Sequence, residues 1–132
     1  MKISISAQMR IKIVLTDLII GRDYIMIKQL NIKTNKKVDF VRITPQINEF
    51  IQKSDVEEGV LIINIPHTTA AVTINEDADP SVKKDIIGQL NDTIPFNNNY
   101  SHMEGNSAAH IKSSIIGCDQ TIIIKDGKVL LG

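Results

Sequence analysis

The stretch VLIINIPHTTAAVTIN, residues 60–75, decides how this chain is read. Residues 60–65 form an apolar run of strand length. Its β-branched content predicts a strand buried on both faces. Pro66 interrupts that strand, and residues 70–75 read as the next one. Between them stands the polar group His67-Thr68-Thr69, at the end of a buried strand, where sheets usually present functional side chains.

Working outward toward the start, apolar residues alternate with polar ones: Ile3, Ile5, Ile11, Ile13, Ile25, Ile27, Leu30 and Ile32. Period two predicts half-buried strands. Gly21-Arg22-Asp23 reads as a turn into a strand over residues 24–34, and residues 38–43 as a short extended piece. Thr44 then offers a cap, Pro45 suits a first helical position, and Ile47, Phe50 and Ile51 make an apolar stripe, with Gly59 beyond the helix end. In the other direction Asp79-Pro80 repeats the helix-start pattern, with Val82, Ile86 and Leu90 on one face. A third helix is predicted over residues 106–116, ended by Gly117. Residues 121–125, Asp126-Gly127 and residues 128–131 give a strong hairpin signal. With no repeat, linker or low-complexity tract, the expected fold is a single α+β domain.

Composition narrows the function. The 132 residues carry 15 basic and 15 acidic side chains, a formal net charge of zero. Nothing in that balance supports nucleic acid or an anionic membrane surface as a partner, because both need clustered Lys and Arg. One Cys rules out an intrachain disulfide and a multi-Cys zinc site. Residues 11–20 are apolar, but Lys12 and Asp17 interrupt them, no small-residue cleavage site follows, and ten residues are too short for a helix across a core of about 30 Å. A cytoplasmic protein is therefore expected. No glycine pattern matches a phosphate-binding loop or a dinucleotide fingerprint.

The candidate chemistry lies between residues 67 and 119. His102 sits in Tyr100-Ser101-His102, followed by Glu104 and Asn106. Asn106, His110 and Ser113 share one face of the third helix, which leaves Ala108, Ile111 and Ile115 as its expected core face. Asp77 and Asp79 suit capping at a helix start, an explanation that fits Glu76 and Asp85 less well. Three histidines with Glu could hold a divalent transition metal such as zinc. The competing arrangement is a metal-free anion site built from His, Asn, Thr and Ser donors. Cys118 reads as a small buried residue rather than a nucleophile.

Several ordered segments resemble the YjbQ-like family, often called secondary thiamine-phosphate synthases: residues 66–71, Asn75-Glu76, Asp85, residues 100–102, Asn106 with His110, residues 113–117, Asp126-Gly127 and Leu131-Gly132. The resemblance covers residues 26–132. It implies a compact α+β subunit with mixed sheets packed by two or three helices, assembled as a homotrimer. It marks residues 1–25 as an N-terminal extension and the remainder as a domain lacking the family's C-terminal strand, where a Trp would stand. It further implies His67, Glu76, Asp85 and His110 as catalytic residues. Thr68, Thr69, Asn106 and Ser113 would bind substrate, with His67, His102 and His110 as ligands of a divalent metal. The implied reaction joins hydroxymethylpyrimidine pyrophosphate to thiazole phosphate with loss of pyrophosphate. Another phosphate-handling or hydrolytic enzyme, or a non-catalytic trimeric metal- or metabolite-binding protein, would use the same residues.

Overall fold

A computed structural model describes residues 2–4, 8–17 and 25–131. The elements run β1 (Lys2–Ser4), β2 (Gln8–Asp17), β3 (Ile25–Lys33), β4 (Asp39–Val41), α1 (Thr44–Gln52), β5 (Gly59–Asn64), β6 (Ala70–Val72), α2 (Pro80–Thr93), α3 (Ser107–Ile116), β7 (Asp119–Lys125) and β8 (Lys128–Val129). They form a three-stranded sheet of order β4-β1-β6 and a five-stranded sheet of order β3-β2-β5-β7-β8. The fold is α+β, as the sequence indicates. Every described strand pair is antiparallel, however, so the mixed sheets implied by the resemblance are replaced by purely antiparallel ones. The expected turn at Gly21-Arg22-Asp23 lies outside the described residues.

The core sits on the inner face of the larger sheet. Ile13 lies opposite Ile63, and Leu15 opposite Leu61, with Leu61 in turn opposite Ile122. These side chains are buried against Ile43, Ile47, Phe50 and Ile51 of α1 and the segment before it. Each is worth about 1.5–3 kcal/mol of transfer free energy relative to exposure. Strand β2, which belongs to the stretch marked as an extension, runs between β3 and β5, and its Ile11, Ile13 and Leu15 are among the most buried side chains.

Two expectations about burial are corrected. Strand β5 is covered on one face only: Leu61 and Ile63 are buried while Ile62 is exposed. No described helix covers the opposite face, so Ile25, Ile27, Ile62 and Ile123 stand open there, Ile27 being 70% exposed. Helix α3 buries only Ala108 of its predicted core stripe. Ala108, Ala109, Lys112 and Ser113 are its buried residues, whereas Ile111 and Ile115 are exposed. The cause is the wall it meets. Strand β6 reads Ala70-Ala71-Val72, and the small side chains of Ala108 and Ala109 let two backbones approach closely.

Local signals set the element ends. Asp79 caps α2, its carboxylate accepting from Ser81 N at 2.8 Å. For α1 the cap position is Ile43, one residue before Thr44, and no side chain bonds there. Strand β6 is shorter than its predicted span because it ends at Val72. In the hairpin, Asp126 and Gly127 both have positive φ, 53° and 65°, the geometry of a turn that matches strand twist.

Candidate functional site

Two backbone stitches create the site. The amide of Ile65 donates to Cys118 O at 2.8 Å, and the amide of Val72 donates to Gly117 O at 3.1 Å. They fasten the chain leaving α3 to the ends of β5 and β6, so the loop carrying His67 is brought against α3. Gly117 accomplishes the exit with φ +100°, a conformation that disfavours residues with a Cβ. A side-chain strut completes the join: Ser113 Oγ lies 2.5 Å from Thr68 O, to which it donates.

The result is an open pocket of about 560 Å³ whose lining includes His67, Thr68, His110, Ser113, Ser114 and Cys118. No carboxylate is among its described lining residues. Inside the loop, His67 Nδ1 accepts from the amide of Thr69 at 3.2 Å and lies 3.0 Å from Thr69 Oγ1. The imidazole thereby plays the part an Asx side chain plays in a turn. Ser114 donates to His110 O at 2.8 Å.

A second open pocket, about 470 Å³, is lined by Tyr100, Ser101, His102, Ser107, His110 and Ile111. His110 thus belongs to both. The rings of His102 and His110 meet edge to face, 5.5 Å between centroids. His102 Nε2 lies 3.7 Å from Glu104 Oε2, and that same carboxylate oxygen accepts from Asn106 Nδ2 at 3.2 Å. Asn106 Oδ1 is buried with no hydrogen-bond donor. Such an atom favours the arrival of a donor from outside the chain.

The acidic candidates fall outside both pockets. Glu76 is occupied locally, its Oε1 accepting from the amides of Asp77 and Ala78 at 2.8 and 2.6 Å. Asp85 is exposed on α2. Neither lines the two histidine pockets. Asp77 pairs with Arg42 at 2.6 Å. Thr69 and Ser113, expected to bind substrate, are both only 8% exposed and are engaged within the protein. Cys118 is exposed where a buried residue was expected. Its Sγ lies 3.7 Å from Asp119 Oδ1.

Two residues went unnoticed in the sequence. Ser114 stands four positions after His110, a spacing that puts both on one helical side. Lys112 carried no such signal. It is 1% exposed, its Nζ donates to Asn91 Oδ1 at 2.5 Å, and it lies over the Phe96 ring at 4.2 Å. Burial, and secondarily the charge of Lys37, pull its pKa below the ordinary lysine value.

A divalent metal would need His67, His102 and His110 around one point. Among the described residues, no three His, Cys, Asp or Glu side chains are grouped to hold an ion. His67 shares a pocket with His110 and a different pocket joins His110 to His102.

Residues 28–132 match the family model described as UPF0047 protein YjbQ-like. The chain belongs to the YjbQ-like UPF0047 family. It is 60% identical over 107 residues to the UPF0047 protein MJ1081 of Methanocaldococcus jannaschii, an alignment covering 81% of this chain and 78% of that protein. It is 44% identical over 108 residues to the UPF0047 protein YugU of Bacillus subtilis, covering 81% and 82%. Among solved structures, a YjbQ/UPF0047 family protein from Clostridium acetobutylicum superposes with TM-score 0.74 at 44% identity, covering 76% of this chain and 78% of that one. A YjbQ-like protein of unknown function from Sulfolobus solfataricus shares the fold at TM-score 0.75 and 22% identity, covering 92% and 80%. Within this YjbQ-like chain no described helix is long and apolar enough to cross a membrane.

Proposed function

We propose that this protein is a thiamine-phosphate synthase-like transferase, joining hydroxymethylpyrimidine pyrophosphate to thiazole phosphate with release of pyrophosphate. The thiazole nitrogen bonds the pyrimidine's methylene carbon as the bond from that carbon to the pyrophosphate oxygen breaks. The observation that carries this reading is the pocket between the His67 loop and α3, which gathers imidazole and hydroxyl groups without a lining carboxylate. Negative charge builds on the departing pyrophosphate oxygens. Preorganised donors stabilise that charge, and a neighbouring carboxylate would oppose it. That His110 lines both pockets supports a role for it toward both halves of a two-substrate reaction.

The donors named above belong to the chain itself. His102 and His110 are the two rings that a divalent ion such as zinc would meet together. The working unit proposed with it is a cytoplasmic homotrimer. The bare apolar residues Ile25, Ile27, Ile62 and Ile123 on the outer sheet face support association with further copies of the chain.

Pyrophosphate release with both substrates, and with each alone, tests the reaction. Wild-type protein is expected to release pyrophosphate only when both are present, and His110→Ala to lower the rate about 100-fold or more. Absence of coupled product, or an unchanged rate in His110→Ala, overturns the proposal. Light scattering at several concentrations tests the trimer, and a monomer throughout would refute it.

A further inference from the structure

We propose that His67 is locked as the Nε2–H tautomer and acts as a hydrogen-bond donor to an anionic phosphoryl oxygen, which removes it from any metal-ligand set. The deciding contact is made by Thr69. Its amide N–H is a donor by necessity, and it points at His67 Nδ1 over 3.2 Å. An N–H at Nδ1 would set two hydrogens against each other. In the neutral ring the proton is then on Nε2. The hydroxyl of Thr69, 3.0 Å from the same nitrogen, can donate in the same sense, so both groups of Thr69 favour an unprotonated Nδ1.

Metal binding asks for the opposite arrangement. A neutral histidine that ligates through Nε2 carries its proton on Nδ1 and donates it to an acceptor behind the ring. Behind His67 stands a donor. Ligation through Nδ1 would displace the Thr69 amide, leaving that donor without its partner. Ser113 holds the carbonyl of the intervening Thr68 against α3, which fixes the loop backbone that carries both His67 and Thr69. Thr69 and Ser113 are thus positioning residues, which accounts for their burial.

Nε2–H is the polar atom His67 has left for the pocket it lines. The same pocket is also lined by His110 and Ser114. A phosphoryl oxygen, acceptor only, is complementary to such a donor, whereas a ligand presenting N–H groups is not. This second half rests on the phosphorylated-substrate reading above; the tautomer does not.

Long-range proton–nitrogen NMR of the imidazoles in the full chain tests the tautomer, with His67 assigned by the peak lost in His67→Gln. The expected pattern is an unprotonated Nδ1 and a protonated Nε2. Titration with zinc alone should leave the His67 signals in place. A protonated Nδ1, or zinc-induced displacement of His67, overturns the proposal. Inorganic phosphate titration tests the donor role: His67→Gln, whose amide can donate, should stay within about threefold of wild type, while His67→Ala should weaken binding about tenfold or more. Equal weakening in both variants overturns the donor role. If wild-type protein binds no phosphate while the Nε2–H tautomer is confirmed, the phosphorylated-ligand reading and the donor role fall together; phosphate binding with Nδ1 protonated overturns the tautomer alone.

Discussion

Alanine at Gly59 and alanine at Gly88 are the same chemical change with opposite expected signs. At Gly59 a new Cβ would lie 2.3 Å from the backbone oxygen of Thr16 and 3.0 Å from Val56 Cγ1. The first contact is far inside van der Waals separation, and Thr16 cannot yield freely because it is paired within the β2–β5 ladder, opposite Val60. Overpacking of this sort costs about 1–3 kcal/mol, and a ladder hydrogen bond opened to relieve it adds about 1 kcal/mol. The expected loss of about 2–4 kcal/mol lowers the melting temperature on the order of 10 °C for a domain of this size. At Gly88, exposed in α2, a Cβ would meet nothing within 4 Å. Alanine there removes backbone freedom from the unfolded chain and favours the helix by about 0.5–1 kcal/mol. Thermal and urea melts followed by circular dichroism measure both variants. A Gly59→Ala protein within about 0.5 kcal/mol of wild type would refute the close approach of β2 and β5.

Three further outcomes follow from local chemistry. Lys112 is less willing to be charged when folded than when unfolded, so the unfolded chain binds more protons in the window between its lowered pKa and 10.5. Stability should rise as pH climbs through that window, and Lys112→Met should flatten the rise in urea melts at stepped pH; an unchanged slope refutes it. Asp79 is held below 3.8 by hydrogen bonding from Ser81, so its contribution is present above that value and lost as pH falls through the lowered one. Asp79→Ala should speed amide exchange in the first turn of α2 at neutral pH and leave α1 unaffected. Cys118, the single thiol, should react with a disulfide reagent in the native protein within about tenfold of its rate in denaturant, and strong protection would contradict its exposure.

Legibility in the sequence tracked the range of the forces involved. The start of α2 was readable because Asp79 and Ser81 satisfy each other two residues apart. The Asp126-Gly127 hairpin was readable because its backbone geometry is a property of those two residues. Burial of β5 on a second face was not, since what covers a face belongs to other elements. For α3, hydrophobicity pointed to Ile111 and Ile115, yet contact distance favoured the alanines, and Lys112 buried its stem and its ammonium together. The grouping of Asn106, His110 and Ser113 on one side followed from helical spacing. Their different fates depend on neighbours that helical spacing does not name: the loop at residues 66–69 engages Ser113 and shares a pocket with His110, residues 100–102 line a second pocket with His110, and Asn106 bonds Glu104 while its Oδ1 stays unpaired.

The order in which the strands are made differs from the order in which they can be completed. Strand β1 needs both β4 and β6, so residue 2 finds its partner at residue 72. Strand β2 can pair early with β3, the next strand in the sequence, but its other edge waits for β5, and β5 in turn waits for β7. During synthesis the β2–β3 ribbon therefore emerges with Ile11, Ile13 and Leu15 uncovered for the time needed to make the following segments. Such ribbons are prone to pair with one another while they wait. Refolding yield that falls as protein concentration rises is the expected signature of that interval.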